Sequence, residues 1–142
     1  TPKSVLTILN SLNINLEGMN VVVIGRSNIV GKPVGALLLK ENCTVTMCHS
    51  KTKNLREVCK RSDILVVAIG KAKFIDDSFV KEGAIVIDVG TNSVQGKITG
   101  DVDFDKVIDK ASFVTPVPGG VGALTTTLLM KNACEAIEKY ED

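Results

Sequence analysis

Two short stretches of this chain carry residue types suited to holding a phosphorylated ligand. The first is Val21-Val22-Val23-Ile24-Gly25-Arg26-Ser27-Asn28-Ile29-Val30-Gly31-Lys32-Pro33. Its β-branched apolar residues read as a buried strand. The strand ends at Gly25, and Val34 to Lys40 reads as a helix. A strand that turns on glycine into a helix aims the helix's free backbone N–H groups at one point. That point carries partial positive charge and suits a dinucleotide pyrophosphate. The second stretch is Cys48-His49-Ser50-Lys51-Thr52-Lys53, with no carboxylate between Glu41 and Glu57. A plain NAD site places Asp or Glu at the end of the second strand, where it bonds the ribose 2′-hydroxyl. A carboxylate would repel a 2′-phosphate, whereas Ser50, Lys51 and the nearby Arg26 would attract one. The charges therefore favour NADP over NAD. The competing reading makes the lysines a solvated surface, Ser50 a turn residue and the glycine turn a packing device.

As a generic fingerprint the turn is weak. Gly25-x-Ser27-x-x-Val30 lacks two glycines of G-x-G-x-x-G, and Gly31 comes one place late, which implies a differently shaped turn. His49 has no carboxylate partner in its own segment and reads as a polar strand end rather than a base. Cys48 reads as a packed thiol, and Cys43, Cys59 and Cys134 as core or surface thiols. Four cysteines without C-x-x-C spacing and a single histidine argue against a zinc site. Free thiols fit a reducing cytosol or organelle matrix better than a disulfide framework. A net charge of +1 and 4% aromatic residues give no footprint for nucleic acid or an anionic membrane. The longest apolar run, Ile64 to Gly70, is far short of a membrane span. The amino terminus lacks a basic stretch leading into an apolar one, so no signal peptide is expected.

The elements that must position these residues follow in order. Thr1-Pro2 reads as an N-cap followed by proline at the first helical position, with Val5, Ile8, Leu9 and Leu12 on one face. Further strands are expected at Thr44 to Cys48, Ile64 to Ala68, Ala84 to Val89 and Ser112 to Thr115. Helices are expected at Thr52 to Arg61 and at Asp103 to Lys110, the latter with Val107 and Ile108 inward, and a short helix or turn at Asp76 to Val80. A final helix is expected from about Leu124, with Leu129, Ala133, Ala136 and Ile137 on one stripe. Strands separated by helices at this rhythm predict an α/β fold: a Rossmann-like, doubly wound parallel sheet forming a single domain over residues 1–142. Ligands of such folds bind beyond the carboxyl ends of the strands. Those ends are Gly25-Arg26-Ser27, His49-Ser50-Lys51, Ala68-Ile69-Gly70-Lys71, Gly90-Thr91-Asn92 and Pro116 to Gly122. Val94-Gln95-Gly96-Lys97-Ile98 reads as a small hairpin able to pair between subunits of a homodimer.

Longer words recur in order along the chain: Gly-Arg-Ser-x-x-Val-Gly-x-Pro at Gly25 to Pro33, Cys-His-Ser-x-Thr at Cys48 to Thr52, Val-Ile-Asp-Val-Gly-x-Asn at Val86 to Asn92, Gly-Asp-Val-x-Phe at Gly100 to Phe104, and Thr-Pro-Val-Pro-Gly-Gly-Val-Gly at Thr115 to Gly122. Together they closely resemble the cofactor-binding domain of the bifunctional methylenetetrahydrofolate dehydrogenase/methenyltetrahydrofolate cyclohydrolase family. The resemblance implies cofactor contacts at Gly25, Arg26, Ser27, Ser50 and Thr91. It implies a loop closing over folate and nicotinamide at Pro118, Gly119, Gly120, Val121 and Gly122. Thr91 stands where the family most often has isoleucine, and Ala123-Leu124 stand where it usually has Pro-Met. Losing proline at a helix start loosens that turn.

The family's catalytic tyrosine and lysine lie in a Tyr-x-x-x-Lys helix of a preceding folate-binding domain. Tyr140 is the only tyrosine here, so the resemblance implies the cofactor half of the enzyme, with no catalytic residue of its own. For the whole enzyme it implies hydride transfer from 5,10-methylenetetrahydrofolate to NADP, then hydrolysis of 5,10-methenyltetrahydrofolate to the 10-formyl form. Tetrahydrofolate derivatives and the missing amino-terminal domain are thus the implied partners. The alternatives are a free-standing NADP-binding or regulatory module and a dimerisation module.

Overall fold

A computed structural model describes residues 1–123. The expected last helix, with Leu124, Leu129, Ala133, Ala136 and Ile137, lies outside the described residues, as do Cys134 and Tyr140. In chain order the elements are α1 (Pro2–Ser11), β1 (Asn20–Ile24), α2 (Gly31–Lys40), β2 (Thr44–Cys48), α3 (Leu55–Lys60), β3 (Ile64–Val67), a 3-10 turn (Asp77–Phe79), β4 (Ile85–Asp88), β5 (Asn92–Val94), β6 (Lys97–Thr99), α4 (Phe104–Val107) and β7 (Phe113–Val114). The main sheet has the order β2-β1-β3-β4-β7, and every pairing in it is parallel. β5 and β6 form a separate antiparallel hairpin.

Successive residues of a strand face opposite sides of the sheet, so an uninterrupted apolar run means that both sides are covered. Val21, Val23, Ile64, Val66, Ile85 and Ile87 pack with Val5 and Leu9 of α1 and Val34 and Leu38 of α2. Val22, Ile24, Leu65, Val67 and Val86 pack on the other side with Cys59, Ile75, Phe79 and Val107. Each such side chain contributes about 2 kcal/mol by leaving water. The doubly wound arrangement is therefore a direct result of these three hydrophobic strands.

Several boundaries differ from expectation for physical reasons. Thr1 occupies the N-cap of α1, but its side chain makes no capping hydrogen bond. α3 begins only at Leu55, because the Thr52 hydroxyl accepts from the His49 N–H at 2.8 Å and Asn54 is left-handed, with φ 55°. α4 is a single turn, so Val107 is buried while Ile108, rotated away from the sheet, is 46% exposed rather than inward. Among the described residues Cys43, Cys48 and Cys59 are free, buried thiols. Burial raises the pKa of each, and Cys59 is pushed up to about 12. No helix among the described residues is long and apolar enough to cross a membrane.

Candidate nucleotide site at the carboxyl edge of the sheet

The turn after β1 is held by close backbone contacts. The Gly25 N–H donates to the Cys48 carbonyl at 2.8 Å, which joins the ends of β1 and β2. Gly25 has φ 120°, and a side chain there would overlap the Ala68 carbonyl. Gly31, one turn on, would overlap the Gly25 carbonyl if it carried a Cβ. The first glycine therefore packs against the end of β3, and the second lets α2 start directly against β1.

The amides expected to face a phosphate are displaced from where the sequence placed them. The Val30 and Gly31 N–H groups donate to the Ser27 hydroxyl at 3.1 and 3.3 Å, and the Lys32 N–H donates to the Ser27 carbonyl at 3.0 Å. Ser27 thus satisfies the start of α2 itself, as an N-capping serine does. The backbone N–H groups of Arg26, Ser27, Asn28 and Ile29 have no acceptor among the described residues. These four consecutive donors, rather than the helix's own first turn, are the ones left available to an anion.

Beside this turn lies a cleft of about 340 Å³ at the ends of β1, β2 and β3. Gly25, Arg26, His49, Ser50, Thr52 and Lys71 supply its polar wall, and Ile24, Leu55, Ala68, Ile69 and Phe74 its apolar wall. Lys51 does not line it. Lys71 does, and its Nζ lies 5.2 Å from the Phe74 ring centroid. His49 is engaged in the local turn, its Nδ1 accepting from the Lys51 N–H at 3.1 Å. A flat ring against the apolar wall and a phosphate against the cations would both be satisfied here.

A second cleft, of about 460 Å³, opens at the end of β4. Val30, Asp88 to Thr91, Ile98 and the run Pro116 to Ala123 line it, which places Thr91 with Pro118, Gly119, Gly120, Val121 and Gly122. Gly119 has φ 105°, and a side chain at Gly120 would overlap the Pro116 carbonyl. The structure therefore divides the residues singled out from sequence. Gly25, Arg26 and Ser50 line one cleft, Thr91 and the glycine run line the other, and Ser27 lines neither.

Two buried carboxylates stand behind these clefts, and the motif reading gave neither a role. Asp88 Oδ1 accepts from the N–H groups of Gly90 and Asp101 at 2.9 and 3.1 Å, and Oδ2 accepts from Val102 at 3.0 Å. Burial pushes the Asp88 carboxyl up to about 6, against the downward pull of those three donors. Asp101 Oδ2 accepts from the Ile69 and Gly70 N–H groups at 2.8 and 3.0 Å, and Oδ1 accepts from the Asn92 side-chain amide at 2.8 Å. Both aspartates sit inside quoted motifs. Only that placement could have marked them, since apart from Gly90 beside Asp88 their partners lie nine or more residues away.

A doubly wound parallel sheet with unpaired amides and a cation-lined cleft at its carboxyl edge defines an α/β nucleotide-binding domain. The chain belongs to the family described as tetrahydrofolate dehydrogenase/cyclohydrolase, NAD(P)-binding domain, whose model matches residues 1–141. It is 74% identical over 142 residues to the bifunctional protein FolD of Clostridium botulinum (strain Alaska E43 / Type E3), covering 100% of this chain and 50% of that protein. Among solved structures, the bifunctional FolD methylenetetrahydrofolate dehydrogenase/cyclohydrolase of Campylobacter jejuni is 44% identical, with a TM-score of 0.92 over 98% of this chain and 50% of that one. The Trypanosoma brucei enzyme, complexed with NADP and an inhibitor, is 37% identical, with a TM-score of 0.89 over 98% of this chain and 50% of that one. The chain spans about half the length of the curated relatives it matches.

Proposed function

We propose that this chain is the NADP-binding half of a 5,10-methylenetetrahydrofolate dehydrogenase/5,10-methenyltetrahydrofolate cyclohydrolase of one-carbon metabolism. A preceding folate-binding domain would supply the catalytic groups. The observation that carries the reading is the first cleft, which Arg26, Ser50 and Lys71 line and, among the described residues, no carboxylate lines. A 2′-phosphate needs cations and a hydroxyl, whereas an unmodified ribose is usually held by a carboxylate. The NADP complex of the Trypanosoma brucei relative supports the same cofactor.

In this reading the N–H groups of Arg26 to Ile29 take the pyrophosphate, with Gly25 and Ser27 fixing their turn. Arg26 and Ser50 take the 2′-phosphate. Thr91 and the run Pro118, Gly119, Gly120, Val121 and Gly122 form the wall where nicotinamide and folate meet. The glycines there let flat rings approach the backbone. Held there, NADP would supply the hydride acceptor for the folate's methylene carbon. This chain's own residues bind, orient and enclose, which is the larger share of what protein contributes to such chemistry. The same reading makes the protein a cytoplasmic homodimer, supported by the exposed Val94 and Ile98 of the hairpin as contact residues.

Calorimetric titration with NADP and NAD separately tests the cofactor assignment. NADP is expected to bind at least about tenfold more tightly, and Arg26→Gln to remove most of that preference, one charged contact contributing about 1.5 to 3 kcal/mol. Equal affinities, or none, would overturn it. NADP binding without oxidation of methylenetetrahydrofolate by the whole protein would leave a binding module instead.

A further inference from the structure

We infer that Asp101 is a positioning residue that holds the two clefts in register, so that one dinucleotide spans both; this rests on the NADP reading above. Asp101 is 0% exposed and takes part in neither ion pair found among the described residues. Its Oδ2 holds the backbone of Ile69 and Gly70, and Ile69 lines the first cleft. Its Oδ1 holds the amide of Asn92, which directly follows Gly90 and Thr91 of the second cleft. A side chain at Gly90 would overlap the Asp101 carboxylate, so the second cleft's wall passes straight over it. The Asp101 N–H donates to Asp88, which itself lines the second cleft, at 3.1 Å. One side chain thus carries the bonds that fix the loop after β3 relative to the loop after β4.

A group that merely filled space would affect every ligand alike. A group that sets the spacing of two subsites affects the ligand that bridges them and spares the ligand that occupies one. The probe of one subsite is adenosine 2′,5′-bisphosphate, which carries the adenine and the 2′-phosphate but no nicotinamide.

The experiment measures affinity for NADP and for adenosine 2′,5′-bisphosphate in the whole protein and in three variants. Asn92→Ala removes only the link to the second cleft and leaves the carboxylate's other partners in place. It is expected to weaken NADP about tenfold while the bisphosphate stays within about twofold, a typical size for coupling inside one hydrogen-bond network. Asp101→Ala is expected to weaken NADP more than the bisphosphate, which also loses some affinity because Ile69 of the first cleft is released. Asp101→Asn is expected to restore the preference, because an Asn92 amide turned over can accept from the new amide while the remaining oxygen keeps Ile69 and Gly70. Should Asp101→Ala fail to fold, Asn92→Ala decides alone. Parallel loss of both ligands, or no change in either, overturns this inference and leaves the cofactor assignment standing. A wild-type protein that binds neither ligand removes the cofactor assignment, and this inference with it.

Discussion

Gly90 and Gly100 sit where the carboxylates of Asp101 and Asp88 leave no room for a side chain. The two glycine–aspartate contacts interlock, since the Asp101 N–H is itself bonded to Asp88. Gly100→Ala would drive a methyl group into the Asp88 carboxylate, and the expected cost is about 2 kcal/mol, read from the urea midpoint. Ser27→Ala strips the acceptor from the Val30 and Gly31 N–H groups and should lower stability by about 1 kcal/mol in the same assay. The residues around the two clefts divide into those that sequence could and could not place there. Arg26 and Ser50 were legible because charge and hydroxyl at a strand end have a meaning that needs no partner. Asp101 was not, because its meaning lies in the Ile69 N–H, 32 residues away. Lys71 was named with the edge but not with the site, since only the fold shows that it, and not Lys51, faces the cleft.

At the scale of elements the strands were read best. β2 runs from Thr44 to Cys48 as expected, and β1, β3 and β4 differ by at most a residue at each end. The signal of β1, β3 and β4 is an apolar run that survives because both faces are packed, whereas β2 is marked by its β-branched residues on a mostly exposed strand. The short helices were read worst, because their limits are set by single contacts such as the Thr52 hydroxyl on His49. The hairpin was legible from Gln95-Gly96, and both residues take positive φ, 50° and 77°. Such a turn prefers asparagine at its first position. Gln95→Asn is therefore expected to raise stability by about 0.5 kcal/mol, since asparagine tolerates left-handed backbone better. Thermal unfolding of the two proteins side by side would reveal it.

For the molecule as a whole, the buried Asp88 carboxyl shapes the response to pH. Burial lifts the Asp88 carboxyl from 3.8 to about 6, so between those values the folded state keeps a proton that the unfolded chain has lost. Stability then falls as pH rises through that window. Asp63, held low first by Lys81, and Asp76, held low first by Ser78, act in the opposite sense. Their contribution is present above the ordinary carboxylate value and is lost as pH falls through their lowered ones. Urea midpoints taken across pH should show the Asp88 decline in the wild type and lack it in Asp88→Asn, although that variant starts less stable.

The strand order β2-β1-β3-β4-β7 has one more consequence, for how the chain is made. Once β1 and β2 have paired, β3 joins the free rim of β1, β4 joins β3 and β7 joins β4, and none has to wedge between two already in place. The sheet can therefore grow outward at one side as the polypeptide leaves the ribosome, while β2 stays at the opposite edge. The glycine run that lines the second cleft is synthesised only after the residues of all five strands.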